Sequence, residues 1–432
     1  MNNKNFNFRL AEELVTSIED DLRDVFHNRS NQIYKKLNNI LKIFKDEKVS
    51  TNHFNLATGS GYGDISREKI DDVFAKFFLA EKSAVRMQFV SGTHAISSVL
   101  FGILRPGDLM LSVTGSPYDT LEEVIGIRGE GNGSLLDLGV QYKQISFDEE
   151  TNFFEDKLVE FFKKNKCKLV FIQKSCGYTW RQSLSNKQIK TICHLVHSLN
   201  PGCICFVDNC YGELVEDSEP ISNGANIIAG SLIKNLGGTI VPTGGYIAGD
   251  SELVEMACCR LTAPGIGSRA GINFGFGRLI LQGLFLAPQM VNESLKGADL
   301  IAAVFKKLDF MVLPEPKSYR SDIIQAVRLN NSYLLQKVCQ SFQNSSPIDS
   351  FLNVIPSPMN GYESKLLMSG GTFIEGSTSE FSADAPLRDP YHIFVQGGSH
   401  MAHVKIALIQ LVFELLEENL IKKESLISSI KK

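Results

Sequence analysis

The sequence predicts an α/β protein with a large domain built on a mostly parallel sheet, followed by a smaller C-terminal α/β domain. Short apolar runs alternate with helical segments from about residue 84 to about residue 250, and this alternation is typical of parallel strands joined by crossover helices. The chain has 432 residues, of which 43% are hydrophobic, so it can bury a full core. Weaker strand and helix signals over residues 291–432 indicate the smaller domain.

Residues 1–50 are predicted to form an N-terminal helical arm. Leu10, Leu14, Ile18 and Leu22 recur at every fourth position with charged residues between them, a spacing that places all four on one face of a helix. Because such a face needs an apolar partner, we expect the arm to pack on the rest of the chain or on a second subunit.

The apolar runs of the large domain, residues 51–290, are followed by short polar, glycine-containing or aromatic segments. These segments are SGTHA (91–95), TGSPYDT (114–120), KSCGYTW (174–180), DNCYGE (208–213) and SLIK (231–234). Ligands of open parallel sheets bind beyond the carboxyl ends of the strands. The five segments are therefore the candidate functional site.

The composition argues against several classes of partner and compartment. A formal net charge of −4 shows no basic excess for nucleic acid or an anionic membrane. The nine cysteines are an odd number and include the adjacent Cys258 and Cys259, which is a poor disulfide framework. The first residues lack the apolar segment of a signal peptide, and no apolar run has transmembrane length. We expect a cytoplasmic protein that acts on small molecules.

Lys234 is the only Asp, Glu, Lys or Arg between Pro220 and Gly249. A lone lysine at a strand end most often reaches to water, and an aspartate such as Asp208 most often forms a turn. Together with the SGTHA turn, however, these residues supply what pyridoxal phosphate needs: an amine, a carboxylate for the pyridine nitrogen, and a phosphate cradle at a helix N-terminus. Ser231 adds a hydroxyl to the cradle. The sparse local charge favours a neutral, nucleophilic lysine.

A series of motifs runs in order between about residues 50 and 415. They are QFVSGTHAI, LFGILRPGD, LSVTGSPYDTLEEVIGIRG, CFVDNCYGELVE, AGSLIKNLGG, PTGGYIAG, RLTAPGIG, LQGLFLAP, GTFIEGST and SADAPLR. The series resembles the fold-type-I pyridoxal phosphate enzymes, whose large domain is aspartate aminotransferase-like. Within them it is most similar to the methionine gamma-lyase-like group that includes the aluminium-resistance, or cystathionine beta-lyase-like, proteins. The resemblance implies pyridoxal 5′-phosphate, an amino-acid substrate and a homodimer or homotetramer.

The resemblance also assigns roles to the residues that hold the cofactor. Lys234 matches the lysine that bonds the cofactor, Asp208 matches the partner of the pyridine nitrogen, and Tyr118 matches the tyrosine that stacks on the ring. The phosphate cup is matched by Ser91, Gly92, Thr93 and Ser231.

Three further residues are assigned by resemblance or by side-chain chemistry. Tyr62 and Arg67, in GYGDISR, are similar to residues that reach a neighbouring subunit's phosphate, although their spacing departs from the usual Tyr-x-Arg. Arg388, in PLRDPY, is the candidate for binding the substrate α-carboxylate, because a guanidinium fits a planar anion in a bidentate way. A salt bridge is the alternative role for Arg388.

The predicted reaction is β- or γ-elimination of a sulfur amino acid to a 2-oxo acid, ammonia and a thiol. Lys234 would take the Cα proton, and Tyr118 would protonate the leaving thiolate. Transamination, racemisation and aldol cleavage stay open because the same cofactor permits them. A non-catalytic binding protein of this fold is a weaker alternative, since it has no evident need for both Lys234 and Asp208.

Two other kinds of site are weaker rivals. The glycine sets GSGYG and GEGNG lack the Gly-x-Gly-x-x-Gly fingerprint of dinucleotide-dependent oxidoreductases. His194 and His197 fall on a predicted helix, and the cysteines near them alternate through a buried strand, so no metal site is expected.

Overall fold

The structure is a computed structural model that describes residues 3–145, 155–359, 361–362, 364–423 and 426–427. The chain divides into two compact units. The first unit contains Met1–Lys35 and Gln289–Lys432, and the second contains Lys36–Pro288. None of the helices within the described residues combines the length and the apolarity that a membrane crossing requires.

Two helices stand at the start of the chain, α1 (Asn3–Asp21) and α2 (Arg23–Asp46). The side chains of Leu10, Leu14 and Ile18 on α1 are buried in the core of the first unit, as is Leu22 between the two helices. Helices span most of this part of the chain, and the face with fourfold spacing is the buried one.

The second unit is built on a seven-stranded sheet. Its strands are β1 (Lys82–Arg86), β2 (Leu109–Ser112), β3 (Gln141–Gln144), β4 (Leu169–Gln173), β5 (Ile204–Asp208), β6 (Ile227–Ser231) and β7 (Gly245–Gly249). The order across the sheet is β1-β7-β6-β5-β4-β2-β3. Neighbours from β6 to β3 pair in parallel, whereas β7 is antiparallel to both β6 and β1. The predicted mostly parallel sheet is confirmed.

Helices alternate with these strands. They are α3 (Ile65–Phe78), α4 (Gly92–Ile103), α5 (Asp119–Ile125), α6 (Glu155–Lys164), α7 (Asn186–Leu199) and α8 (Ser251–Leu261). Local sequence fixes several starting points: Ser91 caps α4, and Ser185 forms a capping box with Gln188 at the start of α7. Each cap sets where the chain leaves the sheet and enters a helix.

The core of the second unit explains why its central strands are continuous apolar runs. Every residue of β4 and β5 is buried, as expected for parallel strands covered on both faces. Val99 of α4, Phe171 of β4 and Phe206 of β5 belong to one buried cluster. The polar residues that end these strands, Gln173 and Asp208, therefore lie at one edge of a rigid sheet.

The first unit has a separate five-stranded sheet. The remaining elements of the chain are α9 (Gly277–Lys307), β8 (Met311–Leu313), β9 (Ile324–Arg328), α10 (Ser332–Asn344), β10 (Leu366–Ser369), β11 (Ser382–Pro386), β12 (His392–Gln396) and α11 (Met401–Glu417). The sheet order is β10-β11-β12-β9-β8, with every pair antiparallel. Leu14 of α1 and Leu408 of α11 share its buried core.

Candidate active site

Lys234 stands just beyond the end of β6, where a short 3-10 turn (Asn235–Gly237) begins. Its Nζ lies 3.7 Å from the centroid of the Tyr211 ring, within the range of a cation–π contact. The buried Asn235 side chain donates from Nδ2 to the carbonyl oxygens of Tyr211 at 3.0 Å and Glu213 at 2.9 Å. These bonds fix the turn that carries Lys234 against the segment that follows β5.

Asp208 is the last residue of β5 and is 5% exposed. Its Oδ1 accepts a hydrogen bond from the Cys210 amide at 3.1 Å. Burial raises the pKa of Asp208, while the charge of Lys234, the bonds from Cys210 and the charge of Arg181 act to lower it. The structure therefore brings Asp208 and Lys234 into one electrostatic site, as the sequence predicts.

The protonation of Lys234 differs from the expectation drawn from its sparse sequence neighbourhood. Burial acts to lower the pKa of Lys234, but Cys210, Tyr211 and Asp208 outweigh it, so the pKa is raised well above its usual value. In this structure these groups favour the charged amine, and the neutral amine stays a prediction. The groups that raise this pKa lie at the end of β5 and in the segment after it, which are distant from Lys234 in sequence but close in space.

The predicted phosphate cradle lies where the start of α4 meets the end of β6. Ser91 Oγ accepts from the His94 amide at 3.1 Å, and the first-turn amides of Gly92 and Thr93 precede the first intrahelical bond. A Cβ on Gly92 would lie 3.2 Å from Ser231 Cβ and 3.4 Å from Cys210 Sγ. The structure thus gathers the predicted cup residues, and glycine keeps the backbone accessible.

Tyr118 precedes α5 and contacts the same cradle. Its hydroxyl donates to Thr93 Oγ1 at 3.0 Å, and its amide donates to Gln173 Oε1 at 2.8 Å. Burial, reinforced by the negative charge of Asp208, raises the pKa of Tyr118 well above its usual value. The phenol therefore keeps its proton and is available as a donor. Gln173, the last residue of β4, is a positioning residue that the sequence analysis does not single out.

These residues fit pyridoxal phosphate. A buried carboxylate, an amine and a glycine-lined helix N-terminus converge at the carboxyl ends of β5 and β6, and Tyr118 contacts the helix N-terminus. The ring nitrogen would pair with Asp208, the aldehyde with Lys234 and the phosphate with the cradle at Gly92.

Tyr62 and Arg67 lie outside the Lys234 cluster. The Tyr62 side chain is 66% exposed, whereas Arg67 is buried. Arg67 Nη1 donates to the carbonyls of Gly61 at 2.5 Å and Gly271 at 3.0 Å. Within the described residues, neither Tyr62 nor Arg67 contacts the Lys234 cluster. Arg388 follows β11 in the first unit. The roles predicted for Tyr62, Arg67 and Arg388 stay predictions.

A family model for methionine gamma-lyase matches residues 11–416, nearly the whole chain. The chain belongs to the methionine gamma-lyase family. The predicted resemblance is therefore confirmed, together with the enzyme class that it implies.

Known relatives agree with this membership. The chain is 42% identical to a carbon-sulfur lyase involved in aluminum resistance from Clostridium novyi NT, with a TM-score of 0.89 over 94% of this chain and 96% of that one. It is 41% identical to an uncharacterized protein of Bacillus subtilis (strain 168), over 95% of this chain and 98% of the relative. A pyridoxal-5′-phosphate dependent protein from Escherichia coli shares the fold at 15% identity, with a TM-score of 0.59 over 91% of this chain and 97% of that one. The fold-type-I prediction is confirmed.

The motifs do not reveal a buried hydrogen-bonded pair near Lys234, formed by Tyr246 and Glu213. The Tyr246 hydroxyl, on β7, donates to Glu213 Oε1 at 2.7 Å, and neither side chain is exposed. Burial raises the pKa of Glu213 to about 8, and this effect outweighs the lowering by the hydrogen bond from Tyr246. Tyr211 and Glu213 both lie in the quoted segment DNCYGE, but their partners come from other segments. Position in that segment is the only sequence signal that marks them.

Proposed function

We propose that this chain is a pyridoxal phosphate-dependent carbon–sulfur lyase that cleaves a sulfur amino acid by β- or γ-elimination. The products are a 2-oxo acid, ammonia and a thiol. The observation that carries the proposal is the convergence of Lys234 and Asp208 with the anion cradle at Gly92 in a member of the methionine gamma-lyase family. The carbon–sulfur lyase from Clostridium novyi NT supports the same reaction class.

Different residues of the site would bind different groups of the cofactor. Pyridoxal phosphate, when bound, withdraws electrons from the amino acid and makes its Cα proton acidic. Lys234 Nζ provides the covalent attachment and takes that proton. Asp208 keeps the pyridine nitrogen protonated. The amides at Gly92, the Ser91 cap and the Ser231 hydroxyl hold the phosphate.

Tyr118 is the proposed acid for the leaving sulfur. Burial keeps its phenol protonated, and the hydroxyl donates a hydrogen bond to Thr93 Oγ1 in this structure. A thiolate leaving from the β or γ carbon needs such a donor. Arg388 is the proposed partner of the substrate α-carboxylate, by the bidentate chemistry of its guanidinium.

The test is a product assay with cystathionine, cysteine and methionine. Thiol and 2-oxo acid are measured in the same sample, with Lys234→Ala as the inactive control. Equal release of both products from one of the three substrates supports elimination. Formation of 2-oxo acid without thiol, and only when an acceptor oxo acid is supplied, would instead identify an aminotransferase.

The proposed assembly is a homodimer, or a homotetramer formed by two dimers, in the cytoplasm. The exposed Tyr62 supports a second subunit as its neighbour, by resemblance to the residue that reaches across an interface. The nine cysteines all lie within the described residues and none of them forms a disulfide, which suits a reducing compartment. Sedimentation velocity should show a dimer or larger species, and a fully active monomer would exclude a shared site.

A further inference from the structure

Tyr211 is the aromatic residue whose ring contacts the amine of Lys234. The Lys234 Nζ lies 3.7 Å from the centroid of its ring. The face of an aromatic ring is electron-rich and attracts an ammonium group. No step of the elimination described above uses this contact, and Tyr211 belongs to the same segment as Asp208.

The backbone around Tyr211 is held rigidly in an uncommon conformation. Tyr211 has a φ of 70°, in the left-handed region that side chains other than glycine rarely adopt. Its carbonyl is held by Asn235 at 3.0 Å. The next residue, Gly212, packs so closely on Lys174 that an added Cβ would lie 2.6 Å from Lys174 Cδ. Lys174 is itself anchored by a buried ion pair with Glu216 at 2.8 Å. The backbone of Tyr211 and Gly212 is therefore closely held.

Several titratable groups act on the Lys234 amine from the surrounding elements. They are Asp208 at the end of β5, Cys210, Tyr211 and Glu213 in the segment after it, and Tyr118 before α5. Among these groups, Tyr211 is the one whose ring stacks on Nζ.

We propose that Tyr211 is a further catalytic residue, whose ring face stabilises the ammonium group that Lys234 forms when its amine takes the Cα proton. Stabilising that ammonium group would make the neutral Lys234 amine a stronger base toward the Cα proton. The catalytic meaning of this contact rests on the proposed function, whereas the contact itself does not.

The test follows the Lys234 amine in the full-length chain freed of pyridoxal phosphate. Competitive acetylation at a series of pH values, followed by mass spectrometry of the Lys234 peptide, measures how much of the amine is unprotonated. The variants are Tyr211→Leu, which removes the ring, and Tyr211→Phe, which keeps it. The matched control is Tyr333→Leu, because Lys337 Nζ lies 5.4 Å from the Tyr333 ring in an exposed pair.

The ring contact predicts that Tyr211→Leu increases acetylation of Lys234 at a fixed pH by about threefold or more. Tyr211→Phe should change it much less, and Tyr333→Leu should leave Lys234 unchanged. Equal labelling of Lys234 in the wild type and Tyr211→Leu would overturn the proposal. So would an effect of Tyr211→Phe as large as that of Tyr211→Leu, since the hydroxyl rather than the ring would then be responsible.

A second measurement needs no substitution at Tyr211. In chain labelled with ¹³C-lysine, the ε protons of Lys234, assigned with Lys234→Ala, should be shifted upfield by the ring current of Tyr211. An unshifted signal would overturn the contact. Both measurements are made without cofactor, so they stand apart from the outcome of the elimination assay. Once elimination is measured, Tyr211→Leu should lower kcat more than it raises KM, and an unchanged kcat would overturn the catalytic role.

Discussion

Substitution of Glu213 by glutamine should change how the stability of the chain depends on pH. Glu213 is fully buried, and one carboxylate oxygen accepts from Tyr246 at 2.7 Å. The other oxygen has no hydrogen-bond partner within the described residues. Burial raises the pKa of Glu213 from 4.5 to about 8. Glutamine keeps the shape and the acceptor for Tyr246 but removes the ionisation.

The sign and size of the effect follow from this shift. Between pH 4.5 and 8 the folded chain holds the Glu213 proton and the unfolded chain has released it, so wild-type stability falls as pH rises. The shift is 8 − 4.5 = 3.5 pH units, and each unit corresponds to about 1.36 kcal/mol. The total loss attributable to Glu213 is on the order of 5 kcal/mol, complete above pH 8. The glutamine variant lacks this loss.

The assay is urea unfolding of the wild type and Glu213→Gln from pH 5 to pH 9, followed by fluorescence of Trp180, the only tryptophan. The difference in unfolding free energy between the two chains should move in favour of the variant as pH rises, and then level off. Glu160→Gln, at an exposed surface pair with Lys164, is the matched control and should show almost no such trend. Parallel curves for the wild type and Glu213→Gln would refute a raised pKa at this position.

Two other substitutions test the buried Lys174–Glu216 ion pair and the proposed acid Tyr118. Lys174→Met breaks a buried ion pair with Glu216 and should destabilise the chain by about 3–5 kcal/mol in urea unfolding; adding Glu216→Gln should restore part of the loss, and an additive double variant would contradict the pairing. Tyr118→Phe removes the hydroxyl that donates to Thr93 and should lower kcat for thiol release by about 10²–10⁴, with cofactor absorption retained; an unchanged kcat would exclude Tyr118 as the acid.

The fold was predictable where burial leaves a sequence signature. The runs in β4 and β5 are apolar throughout because both faces of these strands are covered. The edge strand β3, with the sequence QYKQ, is mostly exposed and has no apolar run, so nothing in its composition marks it. The pattern of β7 identifies a strand but not its antiparallel direction, which depends on pairing with β1 and β6.

The candidate site was likewise predictable only where local sequence carries a signal. Asp208, Gly92 and Lys234 were predictable because they follow strands at the functional edge of a parallel sheet. Tyr246 lies 33 residues from Glu213, and their hydrogen bond forms only when β7 enters the sheet. The raised pKa of Lys234 likewise comes from the end of β5 and the segment after it. Local sequence describes each segment but not the charges that folding places beside it.

The central claim is that Lys234 carries pyridoxal phosphate, and the most direct measurement is reduction of the cofactor-loaded chain with borohydride followed by peptide mass spectrometry. The claim predicts a yellow protein whose absorption bleaches on reduction, with the pyridoxyl mass on the peptide that contains Lys234. Lys234→Ala should yield no such adduct. A chain that stays colourless after pyridoxal phosphate is added, or an adduct found on Lys174, the lysine buried beside Glu216, would contradict the claim.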